Sequence, residues 1–318
     1  MGGRPETRFP TGPGSTGGPA AVLLTGATGF LGGVLLKRLL ADGCAVAVLK
    51  RSVSRTERIA DVLPRAAAYD LDRVPLEAVF EAHRFDAVVH CATRYGRGGE
   101  RLDEVVEANV LLGTRLLGLA AHHGVAAFVH AGTLLPREVS PYARSKAQFV
   151  EWLEDFADRL ACVEVAMDHV YGPGDDPSKF VTRVARDLVR DVPEIALTPG
   201  EQRRDLVYVD DAADAFVHVL GSVRGAPASF RRVEVGTGRT VSIRELVTLA
   251  WRLAGRPSTR LAFGALPYRP HEAMDVAVDP GPLHDLGWRP AVPLEEGLFR
   301  LVEHERALRA RGDGPCAP

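Results

Sequence analysis

Three side chains near the middle of this sequence have the types and spacing of a proton-transfer device. Tyr142 and Lys146 stand four residues apart in YARSK, at the start of a stretch whose periodicity predicts a helix over 142–159. That spacing puts the phenol and the ammonium on one helical face. A free phenol titrates at about 10, so it relays protons poorly near neutrality. A cation beside it favours the phenolate and brings the group into range. Thr133 follows the apolar run 127–131, at the carboxyl end of a predicted strand, where open α/β sheets place their ligands. Its hydroxyl would polarise a carbonyl oxygen and steady the charge that develops there. A tyrosine and a lysine four apart occur by chance on any solvated helix, and a loop threonine is common. Here the chain has 6 tyrosines and only four lysines. The pair also opens the helix after the fifth predicted strand, and that context is read as catalytic.

A second group of residues suits a dinucleotide. The turn Thr25-Gly26-Ala27-Thr28-Gly29-Phe30-Leu31-Gly32 joins a predicted strand over 21–25 to a predicted helix over 30–41. Gly26 would allow the tight turn, Gly29 the approach of a pyrophosphate to backbone N–H groups, and Gly32 close helix–strand packing. At the end of the second predicted strand an acidic residue would accept the 2′-hydroxyl of NAD. The sequence reads Leu49-Lys50-Arg51-Ser52 instead. Arg51 can fork onto a 2′-phosphate, Ser52 can add a hydrogen bond, and Lys50 can take the part of Arg51. A solvated basic loop would read the same way, but the absence of a carboxylate there predicts NADPH/NADP. Asp70, at the end of the third strand, is placed to accept from the adenine amino group. Asp70 and Asp72 would read equally well as loop carboxylates.

The elements that must position these groups follow one rhythm. Apolar strands predicted over 21–25, 45–49, 66–69, 86–91, 127–131 and 163–167 alternate with helices over 30–41, 75–83, 102–122 and 142–159. Continuous apolar strands between amphipathic helices predict a doubly wound parallel sheet of Rossmann type in the α/β class. After Met167 the regularity fades, which predicts a smaller C-terminal substrate-binding domain. The expected partition is a loose leader over 1–19, a dinucleotide-binding domain over 20–170 with 205–254 returning to it, a substrate-binding domain over 171–204 and 255–310, and a loose tail over 311–318.

Bulk properties exclude several classes. The 318 residues are 46% hydrophobic and 25% charged with net charge −2, so no basic field favours nucleic acid. No apolar run is long enough to cross a bilayer, and residues 1–19 lack the apolar region of a signal peptide. The 4 cysteines are widely separated and read as reduced thiols. Asp175-Asp176 is the nearest approach to a metal cluster, and two loop carboxylates do not make one. A cytoplasmic protein without a metal is expected.

Longer strings carry a family resemblance. TGATGFLG, the Tyr142–Lys146 pair, Tyr171-Gly172-Pro173-Gly174 and Arg203–Asp211 (RRDLVYVDD) resemble the extended short-chain dehydrogenase/reductases over about residues 22–298. LKRS at 49–52, YARSKAQFVEW at 142–152 and HVYGPGDDPSKF at 169–180 look like the NDP-4-keto-6-deoxyhexose 4-ketoreductases of the CDP-abequose synthase type. The resemblance implies NADPH-dependent reduction of the C4 keto group of a dTDP- or CDP-linked 4-keto-6-deoxyhexose, in deoxysugar biosynthesis. It implies cofactor contacts from Gly26, Thr28, Gly29, Phe30, Leu31, Lys50, Arg51, Ser52, Asp70, Leu71, Cys91, Ala92, Thr93, Asn109, His169 and Val170, besides Tyr142 and Lys146. For the sugar nucleotide it implies Thr93, Tyr95, Thr133, His169, Lys179, Arg204 and Arg269, the arginines facing the diphosphate. His169 stands where asparagine is common. Thr133 and Tyr142 are separated by fewer residues than is usual. A homodimer through the helices over 102–122 and 142–159 is expected by analogy.

Three rivals share the fold. An epimerase would retain NAD and return the hydride to the same carbon, which the basic residues after strand two disfavour. A 4,6-dehydratase would need an acidic pair after Thr133, where Leu134-Leu135 stand. A non-catalytic NADP(H)-sensing regulator would have no need of the tyrosine and lysine.

Overall fold

The computed structural model describes residues 20–97, 99–269 and 272–312. The expectations for the leader over 1–19 and for most of the tail therefore lie outside the described residues. The chain divides into two compact units. One comprises the described residues up to Ala166 together with Ala213–Val233; the other comprises Met167–Ala212 and the described residues from Glu234 onward.

The first unit is built on β1 (Ala21–Thr25), β2 (Ala45–Lys50), β3 (Ala67–Asp70), β4 (Ala87–His90), β5 (Ala127–Ala131) and β6 (Ala161–Met167). With a last strand, β10 (Ser229–Val235), they form a seven-stranded sheet in the order β10-β6-β5-β4-β1-β2-β3. β1 pairs in parallel with both β2 and β4, so the strand order reverses there. Such a switch point is where this architecture opens a crevice for a ligand. β4, β5 and β6 are buried along their whole length, which explains their apolar runs: helices cover both faces. One face packs Leu23, Val88, Phe128 and Cys162 against Leu116, Leu117, Phe149 and Leu153.

The covering helices are α1 (Phe30–Ala41), α2 (Leu76–Ala82), α3 (Leu102–Val106), α4 (Leu112–His122) and α5 (Pro141–Asp155). The single helix expected over 102–122 is instead α3 and α4 joined by a π-helical turn, Glu107–Leu111. Its extra residue redirects the side chains around Asn109, an effect that recurs at functional sites. Ser140 caps α5 by accepting the Ala143 N–H at 3.1 Å, and Pro141 sits at its first turn. The helix ends at Asp155, earlier than its expected end near 159.

The second unit has two small sheets. β7 (His169–Tyr171), β9 (Arg203–Tyr208) and β11 (Thr240–Ser242) form one; β8 (Glu194–Leu197) and β12 (Arg260–Phe263) form the other. Helices α6 (Phe180–Arg190), α8 (Ile243–Leu253) and α10 (Leu294–Ala310) pack around them. Arg186 and Glu305 form a buried ion pair between α6 and α10 at 2.9 Å. Residues 205–212 and 234–254, expected with the first unit, belong to the second. The reason is pairing: β9 is shared between β7 and β11 and has no partner in the large sheet. The segment that returns is 213–233, most of α7 (Val209–Val223) with the start of β10. No helix among the described residues is long and apolar enough to cross a membrane.

Candidate active site

The glycine turn is formed as its residues require. Gly26 has φ +73°, and a Cβ there would lie 2.6 Å from both Ala92 N and Cys91 C. Only glycine lets the end of β1 approach the residues after β4 this closely. A Cβ at Gly32 would fall 2.2 Å from Gly26 O, so the turn folds directly onto the first turn of α1. Gly29 is the N-cap of α1, with no side-chain cap and no acidic residue in the first turn. Backbone N–H groups without intrahelical partners, at the positive end of a helix dipole, suit an anionic diphosphate. Thr25 Oγ1 accepts the Ala92 N–H at 3.1 Å and pairs with His90 Nδ1 at 2.8 Å, which fixes the Cys91–Thr93 segment beside the turn. Arg58, which the sequence reading passed over, donates to Thr28 O at 2.9 Å. It brings a cation to the same corner.

The residues after β2 are more occupied than their types suggest. Ser52 Oγ donates to Asp70 Oδ2 at 2.6 Å, and Ser52 N to Asp72 Oδ2 at 2.8 Å. The Ser52 hydroxyl, with help from Lys50 and Arg73, holds the Asp70 carboxyl below its usual range. Arg51 Nε stands 3.6 Å from Asp72 Oδ1. That pair is exposed, and such pairs are weak, so Arg51 remains available to a phosphate. Both aspartates thus order the loops after β2 and β3, as loop carboxylates do, and set acceptors beside the basic residues.

Tyr142 and Lys146 occupy successive turns on the buried face of α5. The Thr133 hydroxyl, which accepts the Leu135 N–H at 3.3 Å, acts on the Tyr142 phenol, so two members of the expected trio come together. Burial pushes the phenol up, as do Tyr95 and Glu164; Thr133 and Arg97 act in the opposite sense. The Tyr95 ring lies 4.8 Å from that of Tyr142, with the Arg97 guanidinium 5.5 Å above it. Lys146 is 1% exposed and donates to Ala131 O at 2.9 Å. Desolvation pushes its ammonium down to about 8, against the opposing influence of Cys91 and Glu164. A lysine poised there can exchange protons near neutrality.

Asn109 is fully buried in the π-helical turn. It accepts the Arg94 N–H at 2.8 Å and donates to Arg94 O at 2.8 Å and to Ser145 Oγ at 2.9 Å. Ser145 in turn donates to Tyr142 O at 2.8 Å. Asn109 therefore ties the loop carrying Thr93 and Tyr95 to the helix carrying Tyr142.

Five further sequence candidates lie on the second unit. His169 Nδ1 pairs with the buried Asp168 Oδ1 at 2.8 Å. Lys179 Nζ lies 3.0 Å from Asp175 Oδ1, and Val170 is half-buried in β7. Arg204 is buried and fully engaged: it donates to Arg203 O and Ala273 O, each at 2.7 Å, and to Glu272 Oε1 at 2.5 Å. Those contacts make it an anchor for the 272–273 turn, whereas Arg269 is exposed. In RRDLVYVDD, Asp205 accepts from the Thr237 and Gly238 N–H groups at 2.8 Å each, and Asp211 from the Ala291 and Val292 N–H groups at 3.0 and 2.9 Å. The string holds turns of the second unit in place. No group of metal-ligating side chains occurs among the described residues.

Residues 22–236 match the model of the NAD dependent epimerase/dehydratase family. The chain belongs to that family. Within it, the chain is 28% identical to the CDP-abequose synthase of Salmonella typhimurium over 291 residues, 89% of this chain and 97% of the relative. It is 30% identical to the dTDP-6-deoxy-L-talose 4-dehydrogenase (NAD(P)(+)) of Kitasatospora kifunensis over 317 residues, 89% and 95% of the two chains. Among solved structures, the UDP-glucose 4-epimerase of Thermus thermophilus in complex with NAD superposes with TM-score 0.75 at 28% identity, covering 90% of this chain and 99% of that one.

Proposed function

We propose that this family member is an NADPH-dependent reductase of the C4 keto group of a dTDP- or CDP-linked 4-keto-6-deoxyhexose, acting as a cytoplasmic homodimer in deoxysugar biosynthesis. The observation that carries the reading is the burial of Tyr142 and Lys146 on one face of α5, with Lys146 Nζ bonded to Ala131 O, two residues before Thr133. The relatives named as a CDP-abequose synthase and a dTDP-6-deoxy-L-talose 4-dehydrogenase support the substrate class. Lys50, Arg51 and Ser52, with no carboxylate at the end of β2, support the 2′-phosphate.

The bound nicotinamide supplies the hydride that reduces the carbonyl carbon. The Gly26–Gly32 turn holds the diphosphate, and Arg51 with Lys50 takes the 2′-phosphate. Thr133 donates a hydrogen bond to the carbonyl oxygen and stabilises the negative charge that grows on it. Tyr142 delivers its hydroxyl proton to that oxygen. Lys146 returns a proton to the phenolate. Tyr95, stacked beside Tyr142, and Thr93 face the sugar. His169, Lys179 and Arg269 are candidate contacts for the nucleotide, and Arg204 orders the turn next to Arg269.

The dimer reading puts its interface on the α4–α5 face. Trp152 and Leu111 are exposed there, beside a cleft of 430 Å³ lined by Val110, Gln148, Glu151, Trp152 and Asp155.

The epimerase reading keeps one observation in its favour: Asp72 partly neutralises Arg51. Incubation of the purified protein with a 4-keto-6-deoxy sugar nucleotide separates the two. A reductase consumes NADPH in equal measure with product, and NADH far less well. An epimerase interconverts sugars with no net consumption, and a regulator leaves every keto sugar untouched.

A further inference from the structure

One charged side chain is buried among the reacting groups without a part in the steps above. Glu164 lies in β6, in register with His130 of β5, and is 2% exposed. A Cβ at Gly132 would fall 2.2 Å from its Oε1 and 2.5 Å from its Cγ. Gly132 immediately precedes Thr133, so the missing side chain in that triplet makes the space the carboxylate occupies. The other oxygen, Oε2, stands 3.6 Å from Arg232 Nη1 on β10. A carboxylate is rarely kept at such a depth unless a function holds it there.

The groups around it divide clearly. Glu164 stands at Gly132, between Ala131, whose carbonyl accepts from Lys146, and Thr133; Arg232 and the register neighbour His130 are beside it, and its charge acts on Tyr142 and Lys146. Tyr142 is faced also by Tyr95, Thr133 and Arg97, and Lys146 acts in turn on Cys91, His90 and His130. Burial keeps both histidines neutral and pushes the Cys91 thiol up to about 12. The charged groups acting on Tyr142 are therefore the anion Glu164 and the cation Arg97.

We propose that Glu164, seated in the gap at Gly132 and paired with Arg232, is a positioning residue whose charge keeps Tyr142 and Lys146 in their proton-donating forms, phenol and ammonium. Reduction of a ketone needs a proton on Tyr142 when the oxygen becomes an alkoxide. Oxidation of an alcohol needs the phenolate instead. Glu164 thus biases one shared machinery toward reduction, a role that rests on the reductase reading.

The test follows the ultraviolet phenolate signal of Tyr142 in the full-length protein with NADP bound, identified by its loss in Tyr142→Phe. Glu164→Gln should move that titration toward acid by about one unit, the usual effect of removing a nearby like charge. Arg232→Met should move it the other way, because it leaves the carboxylate less compensated. Glu164→Asp should restore the wild-type direction. In turnover, Glu164→Gln should bring the alkaline limb of reduction to lower pH and cut kcat with little change in KM. A Glu164→Gln titration that stays in place, or an Arg232→Met shift in the same direction as Glu164→Gln, overturns the proposal. If the phenolate signal shifts as stated while no keto sugar is reduced, the charge effect of Glu164 stands and the reductase reading falls.

Discussion

Tyr142 carries the proton and Thr133 carries the charge, and their substitutions should differ accordingly. Tyr142→Phe removes the acid but keeps the ring packed against Tyr95; kcat should fall by about 10²- to 10⁴-fold with an unchanged melting temperature. Thr133→Ala removes one donor to the developing alkoxide, and a loss of about 10²-fold in kcat is expected. Steady-state kinetics beside thermal unfolding check both. Arg51→Ala should raise the KM for NADPH about tenfold, the equivalent of one lost charge-assisted bond, and leave that for NADH nearly unchanged. Equal effects on the two cofactors would place Arg51 outside the 2′-phosphate site. The phenol, the ammonium and the hydroxyl were legible in the sequence because their spacing from predicted elements is short and local. Glu164 was not, because a single acid in an apolar strand gives no periodic signal. Its meaning comes from the fold, which sets Gly132 against it. Arg204 failed in the other direction: its type suggested a diphosphate, and its burial and three internal acceptors assign it to a turn.

At the level of elements, β4 and β5 carry histidines where an apolar run would normally continue. His90 and His130 stack at 5.5 Å between ring centroids, both fully buried. Burial lowers His90 to about 3, and His130 well below its usual value. The unfolded chain binds protons on these rings below about pH 6.5 while the folded chain refuses them, so stability falls as the pH falls through that value. For His90 alone, going from pH 8 to pH 5 should cost about 2 kcal/mol. No hydrogen-bond partner for either ring nitrogen of His130 occurs among the described residues. His130→Phe should therefore keep the packing on Phe149 and shrink the loss between pH 8 and pH 5 in urea unfolding. An unchanged loss would remove His130 as a contributor. On α5, Trp152→Glu should convert the proposed dimer to monomer in sedimentation; a dimer that persists would place the interface elsewhere. Helix and strand existence was legible here from the apolar rhythm. The π-helical turn was not, since one inserted residue leaves periodicity almost unaltered and is visible only through what Asn109 reaches.

Over the whole molecule, the two units differ in how far the sequence exposed them. The first was readable because parallel strands buried on both faces must be apolar throughout. The second was not, because β7, β8, β9, β11 and β12 are three to six residues long and paired across distant segments. Short strands leave too few positions for a pattern, so RRDLVYVDD reads as a motif although it is a strand followed by a helix start. Its aspartates serve turns that lie far away in sequence. The central claim concerns the chain as one catalyst, and isotope transfer tests it most directly. With NADPH deuterated at the transferring position of its nicotinamide ring, turnover of a dTDP- or CDP-linked 4-keto-6-deoxyhexose should place one deuterium at C4 of the product per NADPH consumed. Sugar product without deuterium at C4, or with no NADPH consumed, would contradict the account.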